Sequence, residues 1–254
     1  MYDKNSSTLY GMARSRAFGP IWARPEPGSR RPRFTREQIA SVALAIADAE
    51  GFEAVSMRRV AADLGAGTMS LYHYIRGKDD LIALMDDALM GESLIPDEEL
   101  PDDWREALAA IARRTRDVFL RHPWALHSLQ GEAAGQGAPI GPNGMRHFEQ
   151  SLAALEHAPL GAGGKLDLLA IVDDYVFGHV LRAGELGLRR EADQDEVAAA
   201  VEFGMQQLRS GRYPHLEALS RDPAAASITE EGRAEERFEQ GLQVLLSGAL
   251  ERPV

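Results

Sequence analysis

The glycine turn Gly65-Ala66-Gly67 separates two apolar-faced segments, and it restricts the fold more than any other feature. On its near side Ser56 precedes a segment in which Val60, Ala61 and Leu64 recur at helical spacing. On its far side a second short segment runs from about Thr68 to Ile75. Helices this short are marginal in isolation and need a packed partner. The partner lies upstream. Thr35-Arg36-Glu37-Gln38 is a capping box, followed by Ile39, Val42, Ala43, Ile46 and Ala47 on one helical face, with Gly51 as the stop signal. Three helices with a glycine turn between the last two make a helix-turn-helix. A helix roughly 10–12 Å across fits a DNA major groove about 12 Å wide.

The rest of the chain reads as helix as well. After Arg76-Gly77, Lys78 opens a helix to about Glu92, with Leu81, Ile82, Leu84, Met85 and Leu89 as its apolar positions. Pro96 and Pro101 interrupt the chain. Helical spacing then resumes over about 102–121, 123–131, 141–157, 165–188, 193–209 and 229–250, with no usable period-two alternation. The expectation is an all-α protein of about ten helices. Residues 1–33 form a flexible basic arm, 34–80 a three-helix helix-turn-helix DNA-binding domain, and 81–254 a larger helical ligand-binding and dimerisation domain. Met12 is an alternative start to Met1.

The formal net charge of −11 argues against a nucleic-acid partner until its distribution is read. Residues 1–33 carry a net of +5, residues 34–80 of −2 and residues 81–254 of −14. Such a split points to one nucleic-acid-facing end, with the acidic bulk turned to another task. With no cysteine, disulfides, thiolate metal sites and cysteine nucleophiles are excluded. No apolar run approaches the roughly 20 residues of a membrane span, so a cytoplasmic location without membrane contact is expected. No catalytic, metal or cofactor site is read. His122 and His127 are five apart, wrong for a helical ligand pair. Gly161-Ala162-Gly163-Gly164-Lys165 lacks the spacing of a phosphate loop.

The run from Met57 to Leu81 resembles the TetR family of bacterial repressors, at Ala61, Leu64, Gly65, Leu71, Tyr72, Tyr74, Lys78 and Leu81. The resemblance makes the third helix the recognition helix, presenting Thr68, Met69, Ser70, Tyr72 and Tyr74 to DNA, with Lys78 reaching a phosphate. Hydroxyl and phenol contacts of this kind position a protein more than they specify sequence. Arg58 is the candidate base contact, since its fork matches guanine O6 and N7. Leu71 and Ile75 read as packing. In the arm, Arg24, Arg30, Arg31 and Arg33 are candidates for the minor groove beside the major-groove helix.

The same resemblance implies a homodimer on a palindromic double-stranded DNA operator and a small-molecule ligand, apolar or aromatic, in the C-terminal domain. Dimer contacts are expected from the 165–188 helix (Leu168, Ile171, Val172, Tyr175, Val176) and the last helix (Phe238, Leu242, Leu245, Leu246). Polar or aromatic residues on otherwise apolar helices are the ligand candidates: Trp124, His127, Asn143, Phe148, Asp174, Tyr175, His179 and Phe203. The function implied is a transcriptional repressor released from its operator by that ligand, controlling an efflux or antibiotic-related gene. A ligand-independent DNA-binding protein or an activator is the alternative.

Overall fold

The computed structural model describes residues 20–25, 34–125, 140–190, 194–221 and 230–249. Among these there are ten α-helices and no strand. The helix-turn-helix consists of α1 (Arg36–Glu50), α2 (Met57–Asp63) and α3 (Thr68–Leu71). Then follow α4 (Lys78–Glu92), α5 (Trp104–Arg121), α6 (Pro142–Ala154), α7 (Ala162–Arg190), α8 (Gln194–Arg209), α9 (Pro214–Ser220) and α10 (Glu230–Gly248).

Helix starts follow the caps. Gln38 N–H donates to Thr35 Oγ1 at 3.3 Å and Thr35 N–H to Gln38 Oε1 at 2.9 Å, closing the box at α1. Ser56 Oγ accepts from Arg59 N–H at 3.2 Å to start α2. Asp103 Oδ1 accepts from Arg105 and Glu106 N–H at 2.9 and 3.1 Å to start α5. Gly51 after α1 and Gly65 in the turn sit at φ of +86° and +62°, where a side chain would be strained.

Ile39, Ala43, Ile46 and Ala47 of α1 and Leu81, Leu84, Met85 and Leu89 of α4 are buried along the seam between those helices. Val60, Ala61, Leu71 and Ile75 hold α2 and α3 to the same core. Behind it α5 packs on α7, α4 on α6 and α7 on α10. Phe119 meets Phe177 edge-on at 5.1 Å, and Tyr175 stacks on Phe238 at 5.4 Å. The buried Arg116 guanidinium lies 4.3 Å over the Phe238 ring and pairs with Glu235 at 3.0 Å.

Four expectations are corrected. Within 1–33, residues Ile21–Ala23 form a 3₁₀ turn with Ile21 buried in the main core, because an isoleucine and a tryptophan fill the notch beside α6. Arg24 is drawn into that docked piece: its guanidinium pairs with Asp80 at 2.5 Å and its carbonyl accepts from Arg36 at 3.0 Å, so it does not reach outward. Leu168, Val172, Val176, Phe238, Leu242 and Leu246 pack inside the protomer and leave Ile171, Leu181 and Val244 on the outer faces of α7 and α10. The third helix ends at Leu71, because hydrogen bonding tightens to Ser70–His73 and Leu71–Tyr74. Arg30, Arg31, Arg33 and His127 lie outside the described residues, as does most of the expected 123–131 helix. Helix α9 has no counterpart in the sequence reading.

Removing the cap at α1 tests this local reading. Thr35→Ala is expected to cost about 1 kcal/mol of stability, measured by thermal or denaturant unfolding, with the helical spectrum unchanged.

Candidate nucleic-acid interface and the cavity behind it

The helix-turn-helix sorts its side chains by what the core needs. Leu71 and Ile75 are fully buried, which turns the opposite side of α3 outward. Met69 is 75% exposed and Tyr72 46%, while Thr68 and Ser70 are half-buried on the same surface. Tyr74 departs from the expectation. It is only 8% exposed, its ring 5.0 Å from Phe34, so it belongs to the seam beneath α3. The arrangement leaves Tyr72 as the outward phenol.

The two arginines of α2 divide the same way. Arg59 is held by Glu50 at 2.6 Å and by Asp63, whose carboxylates raise its already high pKa. Arg58 is exposed and has no ion pair among the described residues. At the far edge, the Lys78 ammonium lies 5.2 Å from the centre of the Phe52 ring. Phe52 stacks on Trp124 at 5.9 Å with planes 5° apart, and Trp124 Nε1 donates to Asp48 at 2.6 Å. His122 completes this junction, its Nδ1 2.7 Å from Asp48 and its Nε2 3.3 Å from Glu92. Met69, Tyr72, Arg58 and Lys78 are thus exposed on the helix-turn-helix and the start of α4.

Behind the DNA-facing end, α5, α6 and α7 enclose a small cavity of about 30 Å³. Its walls are mostly apolar, from Leu108, Ile111, Leu169 and Val176, with Thr115, His147, Phe148, Ser151 and Asp173 interposed. Thr115 Oγ1 and His147 Nε2 are 3.1 Å apart. Burial holds the His147 imidazole below its ordinary pKa, which favours the neutral ring. Partial burial and the neighbouring Asp174 carboxylate push the Asp173 carboxyl up to about 6, although the residue as a whole is exposed. A second, shallower groove lies between α7 and α10, where Asp174, Tyr175 and His179 come together beside Arg182 and Arg237. Tyr175 Oη donates to the Arg237 carbonyl at 2.8 Å there.

Comparison with known proteins agrees with this geometry. Residues 39–85 match the bacterial regulatory proteins of the tetR family, and residues 95–252 match the tetracyclin repressor-like C-terminal domain. The HTH-type transcriptional repressor DrrR1 of Streptomyces coeruleorubidus is 36% identical over 232 residues, spanning 88% of this chain and 82% of that protein. The crystal structure of apo ActR from Streptomyces coelicolor superposes with a TM-score of 0.67 at 27% identity, covering 88% of this chain and 97% of that one. ActR in complex with actinorhodin gives the same TM-score at 28% identity, over 85% and 95% of the two chains. The chain belongs to the TetR family. It is a helix-turn-helix DNA-binding transcriptional regulator.

In this TetR-family protein the seven ligand candidates among the described residues scatter. Phe148 alone lines the cavity between α5, α6 and α7. Trp124 is corrected to a buried support, its ring against Phe52 and its N–H on Asp48. Asn143 lines the cleft between α1, α4 and α6. Phe203 is 63% exposed on α8, outside that cavity's lining. Asp174, Tyr175 and His179 share the α7–α10 groove. Thr115, His147, Ser151 and Asp173 were missed. A signal for three of them exists: His147 and Ser151 are i, i+4 on α6, and Asp173 falls four after Leu169 and three before Val176.

Asp173 sets a pH test. The folded protein holds the Asp173 proton more tightly than the unfolded chain, whose carboxyl has the ordinary value of 3.8. Its contribution to stability is therefore full below that value and is lost as pH rises through about 6. Asp173→Asn is expected to melt higher than the parent at pH 7.5, with the gap closing below pH 4. Equal melting temperatures across that range would contradict the cause assigned to the shift.

Proposed function

We propose that the protein is a dimeric, cytoplasmic repressor that binds a palindromic operator and leaves it when a small molecule enters the cavity between α5, α6 and α7. Its action is binding rather than catalysis. The observation that carries this reading is the polar group set Thr115, His147 and Asp173 in an otherwise apolar cavity behind the helix-turn-helix. Ligand sites combine apolar walls with a few oriented polar groups. The neutral His147 and the Asp173 carboxylate, which is mostly ionised near neutral pH with a pKa of about 6, suit a ligand carrying hydrogen-bond donors as well as acceptors, and aromatic Phe148 suits a planar body. ActR, a structural relative, is described with actinorhodin bound. Efflux or an antibiotic-related pathway is the gene class we assign.

On the DNA side, Arg58 reads a base edge, Tyr72 and Lys78 hold phosphates, and Thr68, Ser70 and Met69 line the groove. The arm residues Arg30, Arg31 and Arg33 enter the minor groove. The outer faces of α7 and α10, with Ile171, Leu181 and Val244 exposed, pair with a second copy. Two recognition helices about 34 Å apart then meet successive major grooves. A ligand-independent repressor is the competing reading, and the small volume of this cavity favours it. About 30 Å³ holds roughly one water, whereas drug-sized ligands occupy about 300–1,000 Å³.

A gel shift with the intergenic DNA beside the protein's own gene separates the two. Micromolar actinorhodin as the probe, followed by other polycyclic aromatics, is expected to release the complex in at least one case. Persistence of the complex against the whole series would favour the ligand-independent repressor. The DNA contacts have their own signatures. Arg58→Ala is expected to lower operator affinity about tenfold or more and to relax discrimination at one base pair. Lys78→Gln is expected to weaken all sequences alike and reduce the log–log salt slope by about one.

A further inference from the structure

Helix α6 begins at Pro142 with Gly141 at its N-cap, and no side chain of its own caps its first N–H groups. A residue of α4 does so instead. Asp87, 8% exposed, accepts from Asn143 N–H at 2.9 Å and from Gly144 N–H at 3.0 Å, both on Oδ1. The approach is tight on both sides. A Cβ at Gly141 would stand 2.2 Å from Asp87 Oδ1 and 2.7 Å from the Trp22 ring, so only glycine fits there. One turn further along α4, a Cβ at Gly91 would stand 3.0 Å from the Asn143 amide. Trp22, anchored by buried Ile21, closes the notch from the outside.

Helix α6 therefore has two ends with different partners. Its first turn is fixed to α4, and its middle supplies His147, Phe148 and Ser151 to the cavity. Helix α4 in turn begins at Lys78, at the DNA-facing end. Sliding α4 past α6 would leave a buried carboxylate and two N–H groups without partners, which is costly. The two helices then move as one body.

We propose that Asp87 is the positioning residue that makes α4 follow α6, converting a displacement at the cavity into a displacement of the helix-turn-helix. This rests on the reading of the cavity as the regulatory site. Burial raises the Asp87 carboxyl above its ordinary pKa against the pull of the Gly144 and Asn143 N–H groups, as befits a group held for geometry rather than solvation.

The test needs no ligand. Ser151→Phe and, as a milder wedge on a half-exposed side chain, Phe148→Trp enlarge the cavity wall of α6. Each is made in the parent, in Asp87→Ala and in Asp87→Asn, whose amide oxygen still accepts both N–H bonds. Affinity is read by fluorescence anisotropy on a duplex the parent protein selects from random sequence, and folding by circular dichroism and melting. In the parent, a wedge is expected to weaken DNA binding tenfold or more. In Asp87→Ala the same wedge should cost less than threefold, and in Asp87→Asn the parent response should return. A purely structural Asp87 would lower the melting temperature but leave the wedge's fold-loss unchanged, and that result overturns the proposal. A folded wedge variant with parent affinity overturns the cavity reading itself, and the latch with it.

Discussion

Helix α4 must be buried on two sides at once, and the rest of the structure follows from that. Leu81, Leu84, Met85 and Leu89 require α1 against one face, which fixes the helix-turn-helix. Asp87 and Gly91 require the start of α6 against the other. A helix of 15 residues is about 22 Å long, so both neighbours lie within one rigid element. Few side chains on α4 are free to adapt. The N-terminal Ile21–Trp22 piece then packs where three helices meet, and recruits Arg24 to Asp80 as it does so.

What was legible in the sequence was what depends on neighbours along the chain. Thr35 and Gln38 declare their box because both partners lie within three residues. The glycine turn and the long apolar stripes are likewise local. Tyr72 and Tyr74 show the limit. Two residues apart on a short helix they read alike, and only Phe34, forty residues upstream of Tyr74, decides that Tyr74 turns inward. Arg24 failed for the same reason, since Asp80 lies 56 residues away. Thr115 and His147, 32 residues apart, meet only through tertiary packing.

Asp173 and Asp174 pose a different difficulty. Adjacent helical residues point about 100° apart, so choosing between them needs the phase of α7. Leu169, Val172 and Val176 carry that phase and place Asp173 on the cavity wall. Asp174 drew attention through its neighbours Tyr175 and His179, which do gather with it, but in the groove toward α10. Asp174, Tyr175 and His179 thus line one groove, while Asp173 lines the other cavity.

The distribution of charge closes the argument. Among the described cationic side chains near the helix-turn-helix, Arg24 and Arg59 are held by carboxylates, while Arg58 and Lys78 are exposed without an ion pair. Electrostatic attachment, which usually dominates non-specific affinity, then falls on the proposed reading to Arg58, Lys78 and the arm residues Arg30, Arg31 and Arg33. In the proposed dimer, groove contacts made simultaneously by two copies add to this, because linking two weak sites multiplies their affinities only while both can engage. A reader built this way is easily dismissed. On the proposed two-copy reading, a small tilt of α4 that spoils the spacing of the two recognition helices removes that gain at once, without any change in the contacts each copy can make.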